Sequence, residues 1–324
     1  MNPAPVKIVF LDVATYGDVS LRLFTDIWAC TLYPVTKPTE TVSRIAGHDI
    51  AVTNKVVFDG PILNHAAARS LRLIAVAATG TDIIDKQTAV KRGIQVSNVP
   101  GYATQSVAQF TMALLLELAT CSAKYAAVVK AGEWQESPVF SLLKFPQREL
   151  AGKKLGIIGY GNIGRTVAEM ARGFGMDILI SARPGDTNPP AGRIGLDRVL
   201  SQADYISLHC PLTPETVNVI NAQTLSLMKP TAFLINTARG ALIDEPALIE
   251  ALRQRRIAGA ALDVITEEPP SPDHPVIAAA AELDNLLVTP HTAWSARECR
   301  ERLLVEVKEN IAAFLQGRGR NRVA

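Results

Sequence analysis

Short apolar runs alternate along this chain with segments whose apolar residues recur every three or four positions. In the first hundred residues, runs typical of buried strands lie at 6–11, 50–53, 73–77 and 94–97, with helical patterns at 62–69 and 84–92. A second series lies at 155–158, 178–181, 205–208, 232–236, 258–264 and 286–289. Because strands alternate with helices, the pattern predicts an α/β fold with two doubly wound parallel sheets.

The second series opens with a glycine-rich turn. An apolar run ends at a G-x-G-x-x-G hexapeptide, and a helical pattern follows at 165–172. Gly159 permits the sharp turn, Gly161 allows a pyrophosphate to approach the backbone, and Gly164 lets the helix pack on the strand. The motif alone is weak evidence, but strand, turn and helix in this order predict a dinucleotide-binding turn. Its residues are Gly159, Tyr160, Gly161, Asn162, Ile163 and Gly164.

The position of this turn in mid-chain predicts the domain organisation. We expect a Rossmann-like dinucleotide-binding domain at 99–291, inserted into a flavodoxin-like substrate domain made of 1–98 and 292–324. The segment 105–130 joins the two series, and 296–316 has the pattern of an amphipathic helix. The active cleft is expected between the two domains.

Charge and composition exclude several classes of protein. Lys and Arg number 33 against 31 acidic residues, so the chain has no strong field that would attract nucleic acid or an anionic membrane. The N-terminus lacks the pattern of a signal peptide, and the apolar stretch 107–123 is interrupted by Gln109 and Glu117. We therefore expect a cytoplasmic protein that binds neither nucleic acid nor membrane.

The cysteines indicate neither a metal site nor a disulfide framework. They are scattered, with no C-x-x-C spacing and no accompanying histidine pattern that would hold zinc. Reduced thiols are typical of a cytoplasmic protein. The four residues are Cys30, Cys121, Cys210 and Cys299.

Chemistry-bearing residues follow the late strands of the second series. Hydride transfer between a nicotinamide and a carbonyl requires a proton donor for the oxygen and a cation for a substrate carboxylate. Arg239 follows the run 232–236, Glu267 and Glu268 follow 258–264, and His291 follows 286–289. Because ligands bind beyond the carboxyl ends of parallel strands, we expect these residues to converge.

These motifs together resemble the D-isomer specific 2-hydroxyacid dehydrogenase family, which includes glycerate and phosphoglycerate dehydrogenases and hydroxypyruvate/glyoxylate reductases. The resemblance covers nearly the full length and rests on ordered motifs at 159–164, 209–213, 236–240, 262–264, 268–269 and 289–291. It is closest to the glycerate dehydrogenase and hydroxypyruvate reductase type. It implies NAD(P)H-dependent reduction of a small 2-keto acid, hydroxypyruvate or glyoxylate, to D-glycerate or glycolate.

The resemblance assigns the catalytic roles. Arg239 would bind the substrate carboxylate and keto oxygen, and His291 would be the acid in reduction and the base in the reverse direction. Glu268 would hydrogen-bond His291 and favour its protonated form. Glu267 is the alternative partner, although the residue directly before Pro269 fits the family spacing better. The other four histidines have no comparable motif.

Further binding residues are implied by the same resemblance. The family loop that receives the substrate carboxylate corresponds to the turn at 77–82, and Asp263 would lie near the nicotinamide. Trp294 would wall the pocket, although packing is the commoner role of a tryptophan. The family's usual Val-Ala-Glu is Val-Ala-Gln here, which weakens any charge-dependent role of Gln109. The expected substrate residues are Lys55, Ala78, Thr79, Gly80 and Trp294, and the additional cofactor residues are Thr104, Val107, His209, Cys210, Pro211, Thr216, Thr237, Ala238 and Asp263.

The sequence favours NADPH over NADH. An NAD-preferring turn places an acidic residue about 20 positions after the glycine motif, where it binds the ribose 2′-hydroxyl. Here the strand at 178–181 ends at Ser181 and is followed by Ala182, where the acid would stand, and by Arg183. No acid repels a 2′-phosphate, and Ser181 and Arg183 could bind one. NADH stays open, because some family members use it without that acid.

Two rival functions and one assembly follow from the resemblance. Phosphoglycerate dehydrogenase is the nearest rival enzyme, although this chain ends at Ala324 without the regulatory domain that many of those enzymes carry. A nucleotide-sensing corepressor or scaffold is the rival from another class. In the family, the helix at 107–130 and the following arm with Trp134 and Phe140 form a homodimer contact, so a homodimer is expected.

Overall fold

The computed structural model describes residues 5–186 and 188–324, which form two compact units. Unit 1 contains the chain up to Ala103 together with Ser295–Ala324, and unit 2 contains Thr104–Trp294. The strands are β1 Lys7–Phe10, β2 Ala29–Leu32, β3 Ile50–Thr53, β4 Leu73–Val76, β5 Gln95–Ser97, β6 Lys154–Ile158, β7 Asp177–Ser181, β8 Arg193–Ile194, β9 Tyr205–Leu208, β10 Phe233–Asn236, β11 Gly259–Leu262 and β12 Leu286–Val288. The α-helices are α1 Arg22–Thr25, α2 Thr41–Ile45, α3 Gly60–Asn64, α4 Lys86–Lys91, α5 Thr104–Thr120, α6 Ser122–Lys130, α7 Asn162–Gly173, α8 Leu196–Gln202, α9 Ala222–Leu227, α10 Glu245–Arg253, α11 Pro275–Glu282 and α12 Arg297–Leu315.

Unit 1 is built on a five-stranded parallel sheet in the order β2-β1-β3-β4-β5. This is the flavodoxin-like strand order. Every residue of β3 and β4 is buried, as expected of parallel strands that are covered on both faces. The carboxyl ends of these two neighbouring strands present the segments after Thr53 and Val76 at one edge of the sheet.

Unit 2 is built on a seven-stranded parallel sheet in the order β12-β11-β10-β9-β6-β7-β8. The order reverses between β6 and β9, which pair with each other although four elements separate them in sequence. In a doubly wound sheet such a reversal leaves a crevice at the carboxyl ends of the strands, where ligands bind. The predicted α/β fold class, with a flavodoxin-like and a Rossmann-like sheet, is confirmed.

Several element bounds differ from the sequence pattern. β2 was not predicted, because it is an edge strand whose residues are only partly buried or exposed and so lacks an apolar run. The helix expected at 107–130 is broken into α5 and α6 at Cys121, which has a left-handed backbone with φ 54°. The helix expected at 62–69 is instead α3 followed by a 3-10 helix at Ala66–Ser70.

The helices also bear on the expected lack of a membrane segment. Within residues 5–186 and 188–324, no single helix is both long and apolar enough to cross a membrane. Only α5 and α6 taken together reach that length and composition, and they are bent by 61° relative to each other. In this structure α5 carries many buried residues that pack in the core of unit 2.

Candidate active site

The glycine turn joins β6 to α7 in unit 2. Gly159 has φ +97°, and a Cβ there would collide with the backbone of His209 and Cys210. A Cβ on Gly164 would collide with the carbonyl oxygen of Gly159, whereas one on Gly161 would meet no atom within 4 Å. Gly159 and Gly164 therefore allow the close packing of the turn, whereas Gly161 leaves open space beside the N-terminus of α7. That space and the helix dipole fit the pyrophosphate of a dinucleotide.

The residues at the end of β7 differ in burial and in hydrogen bonding. Ser181 is buried and its hydroxyl donates a hydrogen bond to the carbonyl oxygen of Ala182 at 2.8 Å. The N–H of Ala182 donates to the carbonyl oxygen of Ile194 on β8. Arg183 is exposed. Of these three residues, Arg183 has the side chain best placed to meet a phosphate from solvent.

His209 directly follows β9 and is held in its neutral form. Its Nε2 lies 2.8 Å from the hydroxyl oxygen of Ser207, and burial lowers its pKa to about 3. Burial also raises the pKa of the neighbouring Cys210 thiol to about 11, so this thiol carries its proton at neutral pH. Thr216 closes the following loop by donating from its hydroxyl to the carbonyl oxygen of Pro211 at 2.8 Å. His209 and Cys210 lie beside Gly159 of the glycine turn and add no charge there.

Arg239 follows β10 on a segment that is fastened by its own strand. The buried Asn236 donates from Nδ2 to the carbonyl oxygen of Arg239 at 2.8 Å and accepts from the N–H of Ala238 at 3.0 Å. The guanidinium of Arg239 donates to the carbonyl oxygen of Ala238. Thr237 is linked to α5 through a 2.9 Å hydrogen bond between its hydroxyl and that of Thr111. The turn is thus rigidly placed at the carboxyl end of the sheet.

His291 and Glu268 form a direct pair. Nδ1 of His291 lies 2.6 Å from Oε2 of Glu268, and the other oxygen of Glu268 accepts from the N–H of Ile265 at 3.1 Å. The side chains of His291 and Glu268 are 26% and 29% exposed, so a ligand can reach the pair. Glu268 engages Nδ1 of the ring and leaves Nε2 for another contact. Glu267 instead accepts from the hydroxyl of Ser271 at 3.3 Å. The structure therefore places Glu268, rather than Glu267, against the histidine.

The loop that carries His291 is organised by Asp263. The N–H of His291 donates to the carbonyl oxygen of Asp263, and the backbone of His291 is left-handed with φ 53°. The buried carboxylate of Asp263 accepts from the hydroxyl of Thr289 and the N–H groups of Thr292 and Ala293, at 2.6, 2.9 and 2.8 Å. The main visible task of Asp263 is to hold this loop, and its expected contact with a nicotinamide stays a prediction.

The comparisons with known proteins agree with this geometry. The model of the D-isomer specific 2-hydroxyacid dehydrogenase NAD-binding domain matches residues 112–293. A glycerate dehydrogenase of Methylorubrum extorquens is 41% identical over 316 residues, which cover 97% of this chain and 98% of that protein. A hydroxypyruvate reductase of Blautia hydrogenotrophica is 37% identical over 320 residues, with 96% and 98% covered.

This chain belongs to the D-isomer specific 2-hydroxyacid dehydrogenase family. The resemblance stated from the motifs is confirmed, and the dehydrogenase is an oxidoreductase that uses NAD(H) or NADP(H). A solved structure points the same way: an acyclic imino acid reductase (Bsp5) in complex with NADPH and D-Arg has a TM-score of 0.83 at 30% identity, covering 98% of this chain and 100% of that chain.

In unit 1, the dehydrogenase places its predicted substrate residues after β3 and β4. The carboxylate of Asp12 accepts from the N–H groups of Asn54 and Lys55 at 2.7 to 3.0 Å, and burial raises its pKa. Asn54 donates from Nδ2 to the carbonyl oxygen of Ala77, while the hydroxyl of Thr79 donates to that of Val99. These bonds fix the two loops that carry Lys55 and the segment 78–80, whose contact with substrate stays a prediction.

The remaining predicted residues lie around the dehydrogenase's α5 and the His291 loop. Val107 is buried on the first turns of α5, where Thr104 is half-buried. Ser106 donates from its hydroxyl to the carbonyl oxygen of Ala293 at 2.7 Å, which fastens α5 to the His291 loop next to the half-buried Trp294. Whether Trp294 walls a substrate pocket stays a prediction.

Sequence reasoning missed the buried polar residues that organise the site. Asp12 and Ser207 contact binding loops, but isolated polar residues in or beside apolar strands carry no motif of their own. Asn236 stands in the motif at 236–240, but its hydrogen bonds to the Arg239 turn were not predicted. The only signal of such contacts was a polar residue within or next to an otherwise apolar strand, which is costly to bury unless it is hydrogen-bonded. In the described part of the dehydrogenase, no group of three or more His, Cys, Asp or Glu residues could hold a metal ion.

Proposed function

We propose that this dehydrogenase catalyses the reversible reduction of small 2-keto acids, hydroxypyruvate and glyoxylate above all, to D-glycerate and glycolate. The observation that supports this most is the His291–Glu268 pair, with Nδ1 and Oε2 2.6 Å apart, on strand-end loops of the sheet that also carries the glycine turn. The relatives named glycerate dehydrogenase and hydroxypyruvate reductase support this choice of substrates.

In the proposed mechanism each residue has a separate task. When bound at the glycine turn between β6 and α7, a nicotinamide dinucleotide would supply the hydride for the keto carbon. Arg239 binds the substrate carboxylate and orients the keto group, since a guanidinium presents two parallel N–H donors. His291 donates the proton from Nε2 to the oxygen that becomes the hydroxyl, and takes it back in the oxidation. Glu268 holds the ring through Nδ1 and compensates the positive charge of the protonated ring.

We propose NADPH as the preferred cofactor. Neither an aspartate nor a glutamate stands at positions 181–183, and Arg183 is exposed at the end of β7. The relative at 30% identity was solved with NADPH. Replacing Arg183 by Ser should lower the ratio of NADPH to NADH turnover, measured as kcat/KM, while the same change at Arg193 on the neighbouring β8 serves as the control. An unchanged ratio in the Arg183 variant would argue against its role.

We also propose that the enzyme is a cytoplasmic homodimer joined through α5, α6 and the arm that follows. In support, the arm carries exposed apolar side chains: Trp134 is 51% exposed, Phe140 93% and Leu143 88%. Large exposed apolar patches are typical of interaction surfaces. Light scattering should give the mass of a dimer, and replacing both Phe140 and Leu143 by Ser should shift it to the monomer.

The first test of function is the initial rate of NADPH and NADH oxidation with hydroxypyruvate as acceptor. Glyoxylate, pyruvate and phosphohydroxypyruvate serve as comparisons, and the chirality of the product is determined. Fast turnover of hydroxypyruvate to D-glycerate is expected. Turnover confined to phosphohydroxypyruvate would favour a phosphoglycerate dehydrogenase, and tight cofactor binding without turnover of any keto acid would favour a sensing protein.

A further inference from the structure

Glu245 is a buried carboxylate at the start of α10 that contacts the loop carrying Glu268. It is 8% exposed, follows the turn of Arg239 by six residues, and accepts two hydrogen bonds from Thr266. The N–H of Thr266 donates to Oε1 at 2.7 Å and the hydroxyl of Thr266 donates to Oε2 at 2.8 Å. Burial of a carboxylate is costly, and these bonds offset that cost only while the loop stays in this position.

A second side chain, which follows Glu268 in the chain, approaches the same carboxylate. His274, which is 4% exposed and caps α11, places Nε2 3.7 Å from Oε2 of Glu245. Nδ1 of His274 accepts from the N–H of Val276 at 3.3 Å, which leaves Nε2 as the ring nitrogen that presents an N–H towards the carboxylate. Glu245 therefore lies close to both Thr266 and His274, and Glu268 stands between these two residues in the sequence.

The turn that carries Arg239 packs directly on this loop. A Cβ on Gly240 would collide with the carbonyl group of Ile265 and the nitrogen of Thr266. The N–H of Ile265 is also the group that donates to Oε1 of Glu268. Adjacent peptide groups thus contact the Arg239 turn, Glu245 and Glu268. The relative placement of Arg239 and the His291–Glu268 pair passes through these two peptides.

We propose that Glu245 is a positioning residue of the reaction. It fastens the Glu268 loop at Thr266, where the loop packs against the Arg239 turn, and it acts on catalysis through Glu268 without touching substrate or cofactor. The proposal rests on the function proposed above, in which Glu268 orients the proton-donating histidine. A group that acts through another residue must lose its effect once that residue is removed, and this property separates positioning from general stabilisation.

The test is a double-mutant cycle on kcat for hydroxypyruvate reduction. Glu245→Ala should lower kcat by about 10- to 100-fold, the range expected when a reacting group is misplaced by an ångström. In a Glu268→Gln background the same change should lower kcat by less than about twofold. The dissociation constant of NADPH, measured by fluorescence titration, should change little in either variant. Glu250→Ala, on an exposed position of the same helix, is the matched control and should leave kcat unchanged.

Two further variants keep the test decisive if Glu245→Ala does not fold. Thr266→Val removes one of the two hydrogen bonds at an exposed position and should lower kcat by a smaller factor, again only while Glu268 is present. Glu245→Gln keeps an oxygen for the N–H of Thr266 and offers an amide hydrogen to its hydroxyl, so it should retain most of the activity.

The outcomes separate this proposal from the proposed function. Wild-type protein that reduces no keto acid would overturn the function itself. Active wild-type protein in which Glu245→Ala or Thr266→Val lowers kcat by equal factors with and without Glu268 would overturn only the role of Glu245. A Glu245→Gln variant as slow as Glu245→Ala would also contradict the proposal that hydrogen bonds from Thr266 to residue 245 hold the loop.

Discussion

His291 combines an acid–base side chain with a left-handed backbone, and this limits how its role can be tested. At φ 53° an alanine would be strained, whereas asparagine tolerates this conformation. His291→Asn should therefore keep the loop but remove the proton donor, and kcat should fall about 10²- to 10⁴-fold. Steady-state kinetics with hydroxypyruvate measures the loss, and fluorescence titration should show nearly unchanged NADPH binding.

The control for this substitution is His65→Asn in unit 1. His65 is exposed and its ring nitrogen accepts from the N–H of Ala67 at the start of a 3-10 helix, a capping role that asparagine also performs. Its kcat should equal that of the wild type. If His291→Asn retained wild-type turnover, another group would have to supply the proton.

Arg239 tests whether geometry or charge alone binds the substrate. Arg239→Lys keeps one positive charge but replaces a planar pair of donors with a point charge. We expect kcat/KM for keto acids to fall about 10- to 100-fold, because a hydrogen bond to a charged group contributes about 1.5 to 3 kcal/mol. The loss should appear mainly in KM. Arg253→Lys, which keeps a surface ion pair with Glu282 on α11, is the control, and an unaltered KM in the Arg239 variant would contradict the assignment.

The residues of the catalytic set differ in how far they could be predicted. His291, Glu268 and Arg239 stand in short motifs directly after apolar strands, so both their position and their chemistry could be read from the sequence. Glu245 carries no such motif, and Asp263, which was expected near the nicotinamide, was not predicted to hold the His291 loop. Their partners lie more than twenty residues away along the chain, and only the fold brings a buried carboxylate to those N–H groups.

At the scale of elements, the β6–α7 turn separates two uses of glycine. A Cβ at Gly164 would collide with the carbonyl oxygen of Gly159, whereas a Cβ at Gly161 has open space around it. Gly164→Ala should therefore destabilise the fold by about 1 to 3 kcal/mol, as overpacking does. Gly161→Ala should leave stability within about 0.5 kcal/mol of the wild type and instead weaken NADPH binding, because the methyl group would occupy the space predicted for the pyrophosphate.

Chemical denaturation and fluorescence titration on both variants measure these effects. The two glycines are three residues apart, so the pair is its own control. Equal losses of stability in both variants would mean that the turn tolerates no side chain at all. Full NADPH affinity in Gly161→Ala would mean that the phosphates bind elsewhere.

The success of the element predictions follows burial. Strands such as β3, β4, β9 and β10 are buried at every residue, so each has an apolar run from which it could be predicted. The edge strand β2 has no buried residue and two-residue β8 has only half-buried ones, so neither produces a run. The break between α5 and α6 could not be predicted from the sequence either. Cys121 has a left-handed backbone, but it is neither a glycine nor a proline and so gives no sign of a helix end.

At the scale of the whole molecule, burial of His209 couples stability to pH. Its pKa in the folded chain is lowered to about 3, against 6.5 for an ordinary histidine. Between these values the unfolded chain binds a proton that the folded chain refuses, so the free energy of unfolding falls as pH decreases below about 6.5, by up to about 1.4 kcal/mol per pH unit. Asp12 acts in the opposite sense, since its raised pKa means that the folded chain takes up its proton first as pH falls.

The contribution of His209 is isolated by comparing His209→Gln with the wild type. Glutamine retains a polar group for the hydroxyl of Ser207 but cannot titrate. The midpoint of urea unfolding at pH 7.5, 6.0 and 5.0 should fall more steeply for the wild type than for the variant, since only the wild type must keep a histidine neutral in its core. His65→Gln, at an exposed position, should follow the wild type at each pH. Parallel pH profiles for His209→Gln and the wild type would show that His209 accepts its proton without unfolding, and a titrating charge would then lie beside Gly159 of the glycine turn.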